Sequence, residues 1–262
     1  MPDFRQLENP STNLATQIIS SDNKILGKFH FGENRTPIEY NEIPKNLVDA
    51  LIATEDERFY SHSGIDFRAT VRAIVYLNKR GGASTISQQL ARQLFVGVRS
   101  KNIFEALTQK VKEWVIAVRL ERQYTKEEII KMYLNIYDFG YNGDGIKSAA
   151  NIYFGKEPID LNIEESAVLV GMLKNSSLYN PLRRPELVQS RRNVVFGQMK
   201  KNGLLNEKEF DSLKEIPMEI RYTPQSHREG LATYFRAYLQ LSLIHISEPT
   251  RPERIGDAGL WV

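Results

Sequence analysis

Cysteine is absent from the 262 residues. That excludes a disulfide framework, a thiolate zinc site and a thiol nucleophile. Histidine is scarce, with only His30, His62, His227 and His245, so a histidine-rich metal centre is not expected. Apolar runs are short as well: none approaches the ~18 residues of a membrane span, and Met1-Pro2-Asp3 does not open a signal peptide. Glycine and proline, at 16 and 11 residues, are too few for a fibre or a low-complexity linker. What is present suits a globular chain of one large domain or two small ones: 41% hydrophobic, 26% charged and 10% aromatic residues. Its chemistry is left to carboxylates, hydroxyls and cations.

Charge is unevenly placed. The whole chain carries +3, yet residues 79–122 hold nine lysines and arginines against three glutamates, a local +6. Such a concentration points to a polyanionic partner: nucleic acid, an anionic membrane surface or a phosphorylated substrate.

Residues 15–19 and 25–31 flank Ser20-Ser21-Asp22-Asn23 and read as a β-hairpin with a polar turn. From Pro44 onward the pattern is helical, with Leu47, Leu51 and Ile52 at helical spacing. Further helices are expected over 67–78, 87–95 and 103–123, the last with an apolar stripe of Leu107, Val111, Trp114, Val115 and Val118. Thr125, Asn162 and Asn206 each precede a glutamate by three residues, Glu128, Glu165 and Glu209. These are capping boxes, and they predict helices near 126–136, 163–174 and 206–213. Others are expected near 145–153, 186–202 and 227–239. The class is mainly α, with a small N-terminal β-hairpin.

Four segments carry chemistry. In Glu55-Asp56-Glu57-Arg58 the adjacent carboxylates raise one another's pKa unless donors lie close, and one at a helix end can serve as a base. The plain alternative is a solvated helix end with Arg58 pairing locally. Gly81-Gly82-Ala83-Ser84-Thr85, followed by Gln88, Gln89 and Arg92, has the makings of an anion cradle, or of an ordinary capped loop. It lacks the Gly-Lys-Thr/Ser of a P-loop. Lys110, Glu113, Ala117 and Glu121 form a band flanking the apolar stripe, where an acid can face a cleft or simply pair with its neighbour. Tyr133-Leu134-Asn135 through Tyr153-Phe154-Gly155-Lys156 interleaves glycines and aromatics, fit for an aromatic-lined sugar site or for packing.

In order and spacing these segments resemble the five motifs of the family-51 peptidoglycan glycosyltransferase domain of class A penicillin-binding proteins. Glu55-Asp56…Phe59…His62-Ser63-Gly64 matches the first motif, and Gly82 to Leu90 the second. Lys110…Glu113…Ala117…Leu120-Glu121 matches the third, and Tyr133 to Lys156 the fourth. Glu165-Ser166-Ala167…Lys174…Tyr179-Asn180-Pro181…Arg191-Arg192 matches the fifth. The resemblance spans roughly residues 13–239. It departs from the family pattern at Arg92-Gln93, where Lys-Asn is usual, and at Gln109-Lys110, where Arg-Lys is usual; Gln109 removes one charge. Ser21…Lys24 spells Ser-x-x-Lys without a Lys-Thr-Gly partner and is coincidental.

The resemblance implies a lysozyme-like, bilobal α-helical fold that polymerises lipid II into glycan strands, with inversion at MurNAc C1 and release of undecaprenyl pyrophosphate. It assigns Glu55 as catalytic base and Glu113 as the second essential acid. It gives Ser84, Thr85, Gln88, Gln89, Arg92, Lys110, Asn135 and Lys156 to substrate binding, most of them around the pyrophosphate. No metal or other cofactor is required, a divalent cation bridging the pyrophosphate being the one addition the chemistry would accommodate. The implied partners are lipid II, the growing strand, the membrane surface and other cell-wall synthesis and division proteins, not nucleic acid. The implied location is the extracytoplasmic face of the bacterial inner membrane. The expected organisation is a β segment over 1–40 leading from a membrane anchor outside this chain, a glycosyltransferase domain over 41–240 and a tail over 241–262. A transpeptidase domain is also expected outside this chain. The tail resembles a translated transposase sequencing adapter and is given no function. A lysozyme-like lytic enzyme and a lipid II-binding fragment without turnover are the competing readings.

Overall fold

The computed structural model describes residues 16–19, 21, 25–29, 34–75, 84–97, 100, 102–223 and 238. Two compact units divide the chain, one holding residues 15–29 and the other 30–224. In the first, β1 (Thr16–Ile19) and β2 (Ile25–Phe29) pair antiparallel, Thr16 opposite Phe29 and Ile18 opposite Gly27, with an irregularity between Ile18 and Ile19. The hairpin read from the sequence is therefore present.

The second unit is mainly helical, with an isolated antiparallel bridge between Asp138 and Asp144. Its elements are α1 (Lys45–Glu55), α2 (Phe67–Val75), α3 (Ile86–Ala91), α4 (Ile103–Gln123), α5 (Lys126–Ile136), α6 (Ile146–Phe154), α7 (Ile163–Met172), α8 (Pro185–Lys201) and α9 (Glu207–Glu215). Helix α7 is the centre: Ser166 to Met172 are all buried, with α1 and α8 packed on it and on each other. Helix α3 lies against α4 and α5. The expected helix over 87–95 differs in form, since after Ala91 it widens into a π-helical turn, Arg92–Val96, closed by Gly97 N–H donating to Arg92 O at 2.9 Å. The helix expected over 227–239 lies outside the described residues except for Tyr238, as do Gly81, Gly82, Ala83 and the 241–262 tail.

All three capping boxes form as read. Thr125 Oγ1 accepts from Glu128 N at 3.2 Å while Glu128 Oε2 accepts from Thr125 N at 2.7 Å, and Asn162/Glu165 and Asn206/Glu209 repeat the exchange. The Thr125 N–H holds the Glu128 carboxyl below its ordinary 4.5. A lowered folded-state pKa stabilises above the unfolded value and is lost as pH falls through the folded one. Thr125→Ala keeps that N–H but removes the hydroxyl that caps α5 and donates to Glu128 Oε2 at 2.9 Å, so it should cost about 1 kcal/mol in denaturant unfolding at neutral pH and less in acid, where the hydroxyl's share of the lowered pKa is lost.

The buried face of α4 is a correction. The apolar stripe expected to face the core faces outward instead: Leu107 is 63% exposed, Val111 49% and Val115 40%. Trp114 and Val118 are half-buried. The buried face is the band Glu113, Ile116, Ala117 and Leu120. Close approach chose it. A Cβ on Gly64 would stand 2.7 Å from Val118 N and 2.8 Å from Ala117 O, so the chain at Gly64 lies directly on the α4 backbone where Ala117 leaves room.

Candidate active site

Three neighbouring carboxylates leave the end of α1 in three directions. Glu55 Oε2 accepts from Gln89 Nε2 at 2.9 Å, and Glu55 Oε1 lies 3.9 Å from Arg191 Nη2. Asp56, buried, accepts from Ile86 N at 3.1 Å and from His62 Nε2 at 3.0 Å. Glu57 pairs with Lys201 at 2.9 Å and lies 3.8 Å from Arg72, and the hydrogen bond from Lys201 holds its carboxyl below the ordinary value. Each acid of the trio thus has its own donor or cation. Arg58 does pair locally, with Asp66 through Nε at 2.9 Å.

Helix α3 distributes the rest. Thr85 caps it, accepting from Gln88 N at 3.2 Å and donating from Oγ1 to Gly64 O at 2.7 Å. Residues one apart on a helix point about 100° apart, and three consecutive side chains use this. Ser87 donates to Glu121, Gln88 meets Lys110, and Gln89 meets Glu55. Lys110 Nζ contacts Ser84 Oγ at 2.9 Å, Gln88 Oε1 at 2.8 Å and Glu113 Oε2 at 2.9 Å. An ammonium has three donors, so this set matches it fully. Glu55 and Glu113 are thus tied to adjacent residues of one short helix, Glu55 directly and Glu113 through Lys110. Tyr133 OH donates to Gln89 Oε1 at 2.9 Å, which turns the amide nitrogen of Gln89 toward Glu55.

Burial pushes the Tyr133 phenol well above the ordinary 10, Glu55 adds to the rise and Arg92 opposes it. Arg92 begins the π turn, a form of helix frequent at functional sites. A cleft of about 250 Å³ is lined by Glu55, Ser84, Thr85, Arg191, Gln198 and Lys201, among others.

Two expected binding residues stand apart from this group. Asn135 is buried and spends its amide on the backbone of Ile38, accepting from its N–H at 3.1 Å and donating to its carbonyl at 2.9 Å. Lys156 pairs with Glu165 at 2.8 Å in a separate cavity of about 390 Å³ shared with Arg192 and Met218. Arg191, absent from the expected site residues, reaches Glu55 from α8 and lies 5.7 Å from the Tyr179 ring centre. Its neighbour Arg192 is fully buried, and its Nη2 donates to Ile216 O at 2.8 Å. Burial lowers its pKa, while Glu164 opposes that fall. The pair Arg191-Arg192 was visible as a motif, but no local pattern says which arginine turns to the acid.

A family model described as Transglycosylase matches residues 22–200. The chain belongs to this family, the peptidoglycan glycosyltransferase domains of class A penicillin-binding proteins. It is 37% identical over 227 residues to penicillin-binding protein 1A of Escherichia coli (strain K12), covering 85% of this chain and 26% of that one. To penicillin-binding protein 1F of Bacillus subtilis (strain 168) it is 38% identical over 215 residues, covering 80% and 29%. The chain thus spans under a third of the length of these relatives. The solved structure of penicillin-binding protein 1A from Haemophilus influenzae aligns with 89% of this chain and 24% of its own, at 23% identity and a TM-score of 0.48.

Proposed function

We propose that this chain is a peptidoglycan glycosyltransferase of bacterial cell-wall synthesis that polymerises lipid II. The observation that carries the reading is the pairing of a cleft carboxylate, Glu55, with the Lys110–Ser84 cation-and-hydroxyl set across one short helix. Inverting transfer needs a base on one face of the sugar and leaving-group stabilisation on the other. Glu55 takes the proton of the acceptor's GlcNAc 4-hydroxyl as that oxygen bonds to C1 of the donor's terminal MurNAc. The C1–O bond to phosphate breaks, its electron pair leaves with undecaprenyl pyrophosphate, and the configuration at C1 inverts. Lys110 and Arg92, with Ser84, receive the developing charge, while the expected binding residue Thr85 is buried and spends its hydroxyl hydrogen on Gly64 O. Glu113 holds Lys110 in place, and Gln89 holds Glu55 by one oxygen.

The outward apolar stripe of α4, extended by Phe104, lies within the basic stretch, and Phe67, Val71 and Val75 of α2 are exposed as well. Apolar side chains among cations suit an anionic lipid surface, and lipid II is membrane-borne. This supports work at a membrane surface, which for lipid II polymerisation would be the extracytoplasmic face of the inner membrane. Among the described residues no helix is long and apolar enough to cross a membrane.

The test is to incubate the protein separately with lipid II in detergent and with finished glycan. Polymer from lipid II supports the proposal. Cleavage of glycan alone would make the chain a lytic enzyme, and lipid II capture without polymer a binding fragment. For Arg92→Ala, folding should persist while the KM for lipid II rises about 10- to 100-fold, the worth of a charged hydrogen bond. Unchanged KM removes Arg92 from the phosphate site.

A further inference from the structure

Lysine is a poor choice for the first position of a helix, because its charge opposes the positive end of the helix dipole. Lys126 nevertheless opens α5, and its side chain is only 23% exposed. Its Nζ donates to Glu121 Oε2 at 2.6 Å and to His62 O at 2.7 Å, and lies 4.2 Å from the centre of the Phe59 ring. A residue that breaks a local rule needs a compensating reason, and here the contacts beyond Lys126 supply one.

Glu121 is the first link. Its side chain is nearly inaccessible, it also accepts from Ser87, and Oε1 lies 3.8 Å from His62 Nδ1. His62 places Nε2 3.0 Å from both oxygens of Asp56. A carboxylate only accepts, so Nε2 carries the hydrogen. Asp56 in turn accepts from the first backbone N–H of α3. This buried run of polar groups, in which Glu121 and His62 meet at 3.8 Å without a hydrogen bond, ends at two places that matter to Glu55: the residue next to it just past α1, and the start of the helix whose Gln89 holds it. Losing Lys126 would leave Glu121 buried without its cation, which forces the run to rearrange.

We propose that Lys126 is a positioning residue for Glu55, acting through Glu121, His62 and Asp56. The inference rests on the reading of Glu55 as the base. An active-site displacement on the order of 1 Å can cost about 100-fold, so the expected loss lies in kcat, while the lipid II contacts at Lys110 and Ser84 are untouched.

The experiment compares Lys126→Met, Lys126→Gln, Glu121→Gln and the Glu121→Gln/Lys126→Met double variant with the parent in lipid II turnover and thermal unfolding. Lys126→Met should lower kcat about 10- to 100-fold with KM within about twofold. Lys126→Gln, which keeps a donor, should lose less. The double variant should lose no more kcat than Lys126→Met, since the lysine acts through Glu121. Leu161→Ala, a buried core change remote from this run, supplies an equal or larger loss of Tm with kcat retained. A parental kcat for Lys126→Met, a loss confined to KM, or an equal kcat loss in Leu161→Ala would overturn the proposal. Should Lys126→Met not fold, parental kcat in Lys126→Gln and Glu121→Gln together overturns it. Glu55→Gln separates the two readings. If it is inactive while the Lys126 variants are not, only this inference fails; if it retains parental turnover, the base assignment beneath it fails.

Discussion

Glu55→Gln should lower lipid II turnover by about 10²- to 10⁴-fold, the usual worth of a general base, with the thermal midpoint unchanged. Glutamine keeps the size and the acceptor oxygen that Gln89 Nε2 binds at 2.9 Å, so local geometry has little reason to change. It cannot accept the acceptor hydroxyl's proton. The change isolates chemistry from folding, and a variant polymerising at the parental rate would remove Glu55 from the base role. Steady-state rates with labelled lipid II, beside a melting curve, are sufficient.

Gly64→Ala should be among the most damaging single changes to stability, costing about 2–5 kcal/mol. Two causes add. Gly64 sits at φ +88°, in the left-handed region where a side chain costs roughly 1–2 kcal/mol. Its new Cβ would also fall 2.7 Å from Val118 N and 2.8 Å from Ala117 C and O, backbone atoms that cannot rotate aside, and overpacking costs about 1–3 kcal/mol. The damage reaches the site, because Gly64 O accepts from Thr85 Oγ1 and, at 3.3 Å, from Gln88 Nε2. Moving Gly64 away from α4 shifts the helix that holds both acids. Denaturant unfolding should show a lower midpoint with the slope preserved. An unaltered midpoint would mean that α4 is not held against this turn.

What the sequence disclosed, and what it did not, follows the range of the forces involved. The boxes at Thr125, Asn162 and Asn206 were legible because both partners of each exchange lie within four residues. The limits of α4, expected at 103–123, also agree with the structure, where Asn102 caps the first turn. Its buried face was not. Periodicity reports that a stripe is apolar, and it says nothing of what covers that stripe. Here a small residue, Ala117, set the contact, and the larger apolar side chains were left outside. Motif spacing likewise brought Gln88, Gln89, Lys110 and Glu113 to attention without saying where each would point. Gln89 and Lys110 turned to the acids, whereas Asn135 turned to Ile38 and Lys156 to Glu165. Arg191 comes to Glu55 from another helix, a pairing visible only once α1 and α8 are packed together on α7.

The claim at the centre of this account is that one groove holds both the base and a cradle for a diphosphate. A crystal structure with a non-reactive lipid-diphosphate sugar analogue tests it most directly. The diphosphate oxygens should lie within hydrogen-bond distance of Lys110 Nζ and Ser84 Oγ, with the sugar reaching toward Glu55. A diphosphate seated elsewhere, as in the cavity of Lys156 and Arg192, would contradict it.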